Sequence, residues 1–406
     1  MTVLSYEEAS GVVRREAEVA RGAVAGLAVE RVPLLDAMGR VLAEAVVADR
    51  DQPPFARATR DGYACRAVEL LAGELRVVGQ LRAGEAWEGG ALETGEAVEI
   101  MTGAAVPPGA DCVAMVEHVT VVEGRVRLDG PREIAAGENV VPPGAEARES
   151  DEVIAAGRRL GITEIAAAAA CGGAVLAVFA RPTVAIVATG DELVDVAEQP
   201  LGHQIRNSNS YSLAAQVAAA GGEPRIFPVV RDDSAATAAA IREASGCGLL
   251  LLTGGVSMGK FDFVEEALAA EGAEFFFTGA RIQPGKPVVF GKLPQLYFLG
   301  LPGNPISTMV TFALFGAGLV RALGGERAWG PRFGMARLLE EVRVKPGLTR
   351  FLPARVESDA EGARVRRIAW QGSGDLAAAA QANGFLVVPE TEERLAVREM
   401  VTVLEV

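Results

Sequence analysis

Residues Leu249–Asp262, LLLLTGGVSMGKFD, constrain this chain more than any other stretch. Four consecutive leucines bounded by turn residues read as a fully buried strand. Gly254, Gly255 and Gly259 follow, and glycines there let backbone N–H groups face an anion without side chains in the way. A helical segment begins at about Phe261, and Asp262 opens it, either as a cap or as a cation ligand beside that anion.

The same strand–turn design recurs twice. Pro182–Thr189 runs into Gly190-Asp191-Glu192-Leu193, and Leu296–Gly300 runs into Leu301-Pro302-Gly303-Asn304-Pro305. One such loop is weak evidence, because a tight βα turn needs glycine for steric reasons alone. Three together predict a single crevice at the carboxyl edge of a parallel sheet.

Around them, strand and helix alternate from Arg181 to Leu323, which predicts an α/β domain with a mainly parallel sheet. Its expected helices are Ser208–Ala220, Ser234–Ala244, Phe261–Ala270 and Pro305–Leu323, the last with Asn304 as cap and Pro305 at the first helical position. Arg231-Asp232-Asp233-Ser234 caps another helix, a sufficient structural reason for its carboxylates. A second role stays open, since the crevice already has Asp191, Glu192 and Asp262. Gln283-Pro284-Gly285-Lys286-Pro287 lies between two strands, and its prolines fix the lysine in position, either as a ligand contact or as a solvated charge.

At 406 residues the chain exceeds the roughly 250–300 at which single cores stop growing, so several domains are expected. Ser5-Tyr6-Glu7-Glu8 is a capping box opening a helix to about Ala25. Asp51–Cys65 is a Pro-rich loop carrying Arg57, Arg60 and Asp61, for which a solvated surface loop suffices. Short β runs broken by Gly and Pro then predict a small inserted β domain, where Thr102-Gly103 either donates to an anion or merely turns the chain. After Pro331 the chain is again β-rich, interrupted by one helix at Asp375–Ala382 with Ser373 near its N-cap. The boundaries expected are 1–45 with 141–178 for a discontinuous linker domain, 46–140 for the inserted β domain, 179–330 for the α/β domain and 331–406 for a C-terminal β domain.

A formal charge of −14 without any Lys/Arg run argues against nucleic acid as partner. An anionic ligand must therefore be held locally. Cys65, Cys112, Cys171 and Cys247 are far apart with no C-x-x-C, as suits a reducing compartment. His118 and His203 are the two histidines, so a bound metal would be a hard cation on oxygen ligands. The first ten residues lack the apolar core of a signal peptide, and Ile165–Ala180 falls short of the ~20 residues a membrane span needs. A cytoplasmic protein without membrane partners is expected.

Eight short motifs in order carry a resemblance: Asp61–Ala64 (DGYA), Met101–Gly103 (MTG), Thr189–Leu193 (TGDEL), Ser208-Asn209, Gly254–Asp262 (GGVSMGKFD), Pro284–Pro287 (PGKP), Leu301–Pro305 (LPGNP) and Gly372–Leu376 (GSGDL). Across essentially the whole chain they resemble the molybdopterin molybdenumtransferase family, the MoeA-type proteins and the E domain of gephyrin-like proteins. The resemblance implies four domains, with an adenylyltransferase-like α/β molybdopterin-binding domain and a C-terminal β-barrel. It also implies molybdenum cofactor biosynthesis: molybdate is inserted into adenylylated molybdopterin, and AMP is released with Mg2+. A homodimer with the site shared between subunits is implied, as are contacts with other cofactor-biosynthesis proteins and recipient molybdoenzymes. A non-catalytic molybdopterin-binding or scaffolding homologue is the alternative.

Carried onto this sequence, the resemblance assigns Lys286, Ser307 and Ser373 to molybdate, with Arg350 and Arg355 both eligible for one arginine. Glu192, Asp232 and Asp262 would hold Mg2+ and the nucleotide, and Asp61 and Thr102 would complete the site from the partner subunit. Thr189, Gly190, Asp191, Ser208, Gly254, Gly255, Ser257, Gln283, Pro287, Pro302, Gly303, Asn304 and Pro305 would bind substrate. Gln283 stands where many members have a lysine, with Arg281 near enough to compensate; Glu146 and Arg60 are further departures.

Overall fold

The computed structural model describes residues 2–22, 26–255 and 263–406. Its centre is a six-stranded sheet in the order Glu223–Ile226, Thr183–Ala188, Leu249–Thr253, Tyr297–Leu301, Val289–Lys292, Glu274–Phe277. The first four strands are parallel and the last two antiparallel. All four expected leucines are fully buried. Because side chains alternate across a strand, Leu249 and Leu251 face one helical layer and Leu250 and Leu252 the other. Helices Ser208–Ala220 and Pro305–Leu323 cover the first face; Ser234–Glu243 and Phe263–Ala270 cover the second. Both faces are thus sealed, as a parallel sheet requires. Pro305–Leu323 is long and apolar enough to cross a membrane, but its residues are 83% buried in this core.

The capping box forms as expected: Ser5 N–H donates to Glu8 Oε2 (2.7 Å) and Glu8 N–H to Ser5 Oγ (3.1 Å). The helix it opens, Tyr6–Gly22, was grouped by sequence with the linker. Its apolar stripe, Ala9, Val13 and Ala17, is instead buried in the α/β core. Spacing of four residues puts all three on one face, and that face matches helix Ala317–Leu323.

The linker region proper pairs Val29–Pro33 with Val175–Phe179 and Val46–Val47 with Glu152–Ile154. Helix Ile162–Ala170 packs on these strands. The inserted region is a second six-stranded sheet, ordered Cys112–Met115, Gly62–Cys65, Glu96–Ile100, Leu75–Leu81, Arg125–Leu128, Val119–Val122. At the C-terminus, Thr349–Asp359, Gly362–Arg367, Phe333–Leu338, Met400–Glu405 and Gly384–Val388 pair in turn, and the last returns to the first. That closure is the expected β-barrel. Ile282–Gln283 of the α/β region adds to its wall beside Thr349-Arg350.

Candidate active site

Strand Thr183–Ala188 is flanked by Glu223–Ile226 on one side and Leu249–Thr253 on the other, so the chain reverses its direction of travel across the sheet there. Crevices form at such switch points outside the carboxyl ends of the strands. A cleft of about 620 Å³ lies at this one. Thr189, Gly190, Gly254, Gly255, Gly303, Asn304 and Pro305 line it from the three anticipated strand ends, and Ser208 from the start of a helix. Gly374 and Leu376 of the barrel form another wall.

Asn209, which sequence reasoning did not assign to the site, stitches these ends together. Its Nδ2 donates to Thr253 Oγ1 (2.9 Å) and to the Gly303 carbonyl (2.7 Å). Thr253 Oγ1 donates onward to the Pro302 carbonyl (3.3 Å), which also accepts from Thr308 Oγ1 (2.5 Å). Pro302 therefore supports the cleft from below. Gly254, at φ +95°, must be glycine because a Cβ would stand 2.4 Å from the Thr189 carbonyl oxygen. The Asn207-Ser208-Asn209 run at a helix start was the available signal: Asn207 caps, accepting from Ser210 N–H (3.1 Å), which leaves Asn209 free to reach across.

Two buried polar atoms in the cleft wall, Thr189 Oγ1 and Asn209 Oδ1, have no hydrogen-bond partner among the described residues. Such orphans are uncommon and mark sites completed by something else.

Glu192 and Asp232 both line the cleft with exposed carboxylates. The structure separates Asp232 from its neighbour: Asp233 accepts from Ala236 N–H (2.7 Å) and caps the helix, whereas Asp232 makes no hydrogen bond or ion pair among the described residues. Asp191 is turned to Arg231, 3.5 Å away. Arg206 lines the cleft, but its guanidinium donates to the carbonyls of Val196 and Glu198 at 3.0 and 3.1 Å. No group of three or more metal-ligating side chains exists among the described residues, leaving two cleft carboxylates. Asp262 and Ser257, assigned from sequence, lie outside the described residues.

Helix Pro305–Thr311 leads from the cleft to a second cluster. Ile306 N–H donates to the Ser373 carbonyl (2.9 Å). Ser373 does not cap the next helix; Asp375 does, accepting from Ala378 N–H at 3.0 Å. That N–H, and then the N–H of Gln371, holds the Asp375 carboxyl below its ordinary range. Gly285 packs so tightly on the same helix that a Cβ would meet Thr311 Cγ2 at 2.4 Å. Ser307 is buried beside it, and Lys286 is exposed with no carboxylate in ion-pairing range among the described residues. Gln283 lies in register with Arg350, whose Nε is buried and unpartnered among the described residues. Arg281 lies 3.5 Å from Glu390 and is thereby engaged elsewhere. Arg355 sits farther along its strand, exposed and opposite Arg366, and Pro287 is half-buried outside the cleft lining.

Asp61 and Thr102 form a separate tip on the inserted sheet. Asp61 Oδ1 accepts from both the N–H and the hydroxyl of Thr102, each at 2.7 Å. Thr102's N–H first, and its hydroxyl second, hold the Asp61 carboxyl below its ordinary range. Neither residue lines the cleft of its own chain.

Three family models match consecutive parts of the chain: the MoeA N-terminal region (domains I and II) over residues 4–172, a probable molybdopterin binding domain over 185–322, and the MoeA C-terminal region (domain IV) over 335–406. A protein of Synechococcus elongatus named molybdopterin molybdenumtransferase is 35% identical over 97% of both chains. A protein of that name from Staphylococcus aureus (strain COL) is 32% identical, covering 88% of this chain and 86% of its own. A crystal structure of a molybdopterin biosynthesis MoeA protein from Pyrococcus horikoshii is 31% identical, with TM-score 0.74 over 100% of this chain and 99% of that one. Matched end to end in sequence and in fold, with the cleft at the sheet's switch point, the chain belongs to the MoeA family of molybdopterin molybdenumtransferases.

Proposed function

We propose that this chain acts in molybdenum cofactor biosynthesis as a molybdopterin molybdenumtransferase, inserting molybdate into adenylylated molybdopterin with release of AMP. The observation that carries this reading is the cleft itself: three parallel strand ends, with the Thr189 and Asn209 side-chain oxygens and the Glu192 and Asp232 carboxylates unpartnered among the described residues, in one cavity. The turns at Gly190, Gly254, Gly255 and Gly303 present backbone to the nucleotide and its phosphates. Glu192 and Asp232 fit a hard divalent cation, because Mg2+ is typically held by one or two carboxylates with substrate phosphates completing the shell. Asp262 is the third carboxylate that the resemblance assigns to it. Mg2+ would supply charge neutralisation on the phosphate oxygens as AMP departs. The chain's own part is to orient the phosphoanhydride against these loops.

Molybdate, a tetrahedral dianion, belongs at the second cluster, where the Lys286 loop and Ser373 flank the helix that carries Ser307, and Arg350 pairs in register with Gln283 of that loop. Arg350 is favoured over Arg355 because it stands in register with Gln283 on the loop that carries Lys286. Asp61 and Thr102 act on the cleft of a second subunit in a homodimer.

The test is AMP release from adenylylated molybdopterin with Mg2+, with and without molybdate, in wild type and Lys286→Ala. Molybdate-dependent turnover that falls at least about tenfold in the variant supports the reading, the loss of one charge-assisted contact being of that order. Binding of the nucleotide without AMP release in wild type would overturn it in favour of a binding protein.

A further inference from the structure

The side chain of Arg159 lies outside the cleft and outside every motif singled out above. It projects from the linker region and ends among acceptors from three separate segments. Nη1 donates to the Gly39 carbonyl (2.7 Å), and Nη2 to the Ala220 carbonyl (2.8 Å). Nε and Nη2 both donate to Glu326 Oε2, at 3.0 and 2.7 Å. Glu326 is buried, with 6% of its side chain exposed. Gly221 adds a specific accommodation: a Cβ there would stand 2.6 Å from Arg159 Nη2.

The Ala220 carbonyl is the C-terminal end of helix Ser208–Ala220, where a cation is favoured by the helix dipole. The opposite end of this helix presents Ser208 and Asn209 to the cleft. Arg159 therefore joins the linker to the element that builds the cleft, and the linker in turn holds the start of the inserted region, where Gln52 N–H donates to the Ala147 carbonyl (2.7 Å) and Gln52 Nε2 to the Ala170 carbonyl (3.3 Å). A lysine could supply the charge but not the four directed contacts. Buried ion pairs are often no more stabilising than apolar replacements of similar volume, and in some proteins they instead specify geometry.

We infer that Arg159 is a positioning residue for the transferase reaction, fixing the inserted region against the α/β domain of its own chain so that, in the proposed homodimer, Asp61 and Thr102 of each subunit meet the cleft of the other at a set orientation. The inference rests on the proposed role of Asp61 and Thr102. Asp61→Asn serves as its reference.

The experiment uses full-length protein with spin labels at Val122→Cys and Ile226→Cys, both exposed, diluted with unlabelled protein. The interspin distance distribution and steady-state turnover are then measured for wild type, Arg159→Met, Arg159→Lys and Glu326→Gln. Arg159→Met is expected to broaden the distribution and lower kcat at least about tenfold with KM within about twofold, since ångström-scale misplacement has effects of this size or larger. Arg159→Lys should recover part of both. Glu326→Gln keeps the packing volume and repeats the effect should the methionine variant fail to fold. Unchanged kcat despite a broadened distribution overturns the inference, and so does a lowered kcat with a distribution as narrow as wild type. If Asp61→Asn retains full kcat, the underlying reading of the tip fails, whatever the Arg159 variants do.

Discussion

The sheet beneath the cleft and the sheet of the inserted region each have six strands, yet they build their polar features differently. In the first, neighbouring parallel strands end at one edge, so Thr189, Gly254 and Gly303 arrive together from positions spread over more than a hundred residues. In the second, where antiparallel pairings dominate, polar contacts are local pairs, such as Asp61 with Thr102 and Arg76 with Glu96. The first site is a product of topology, built on strands that are themselves buried. The second is a local clamp on an exposed tip. Neighbouring parallel strand ends thus bring many groups to one edge, whereas the inserted sheet holds its pair by direct hydrogen bonds.

The sharpest break of this comparison lies within two adjacent residues of the cleft sheet. Asp232→Asn should lower turnover about 100-fold, the order seen when one group stabilising developing charge is removed. It should leave the melting temperature unchanged, because Asp232 supports no structure among the described residues. Asp233→Ala should do the reverse, removing about 1 kcal/mol of helix capping while turnover stays near wild type. Steady-state AMP release and thermal melting separate the two. Equal losses of activity would mean that the cap, not the free carboxylate, governs the cleft.

The cores should differ too. Leu251→Ala, within the main α/β cluster, should cost about 3–5 kcal/mol, because neighbours anchored on two helical layers cannot relax into the cavity. Leu81→Ala, in a small cluster of the inserted sheet, should cost about 2–3 kcal/mol. Urea unfolding followed by hydrogen exchange in each region would check the order. Exchange resolves the regions where one global transition would not.

What was legible in the sequence follows the same division. Leu249–Leu252 and the three glycine turns announced the parallel sheet and its crevice, because burial and turn geometry are local demands on residue type. The barrel's strands were legible as β-rich runs and a barrel was implied by the family resemblance, whereas its closure through Gly384–Val388 against Thr349–Asp359 is seen only in the structure. Side-chain choices between neighbours were not legible. Asp232 and Asp233 look alike in sequence, as do Ser373 and Asp375, and backbone direction alone decides which one caps. Asn209 and Arg159 were missed because their partners are distant: Thr253 and Gly303 for one, Glu326 and Ala220 for the other. The docking of helix Tyr6–Gly22 on the α/β core was hidden for the same reason.

Gly285 tests how tightly the two clusters of the α/β region are joined. At φ +107°, with Thr311 Cγ2 2.4 Å from where a Cβ would stand, Gly285→Ala should cost about 1–3 kcal/mol through overpacking and backbone strain. The loop carrying Lys286 would be pushed off helix Pro305–Thr311. Molybdate dependence should weaken while nucleotide affinity at the cleft holds, measurable by calorimetry with AMP. Loss of both would mean that the two clusters form one cooperative site.

The smallest effect belongs to the tip. The Asp61 carboxyl is held below its ordinary range by Thr102's N–H and, second, by its hydroxyl. A depressed folded-state pKa makes the ionised clamp favourable at every pH above the ordinary carboxylate range. That contribution is lost as pH falls through the lower, folded-state value. Thr102→Val deletes the hydroxyl but keeps the N–H, so the Asp61 titration midpoint should move only part of the way back toward ordinary. Carboxyl-carbon NMR across pH 2–6, a window about two units either side of the ordinary carboxylate value, would follow it. Global unfolding should shift by no more than the small change linked to that partial return, because both partners are exposed. A full return to the ordinary midpoint would show that the hydroxyl dominates. A fall in global stability beyond that linked change would show that the tip is part of the sheet's core, which would erase the contrast between a local clamp and a topological cleft.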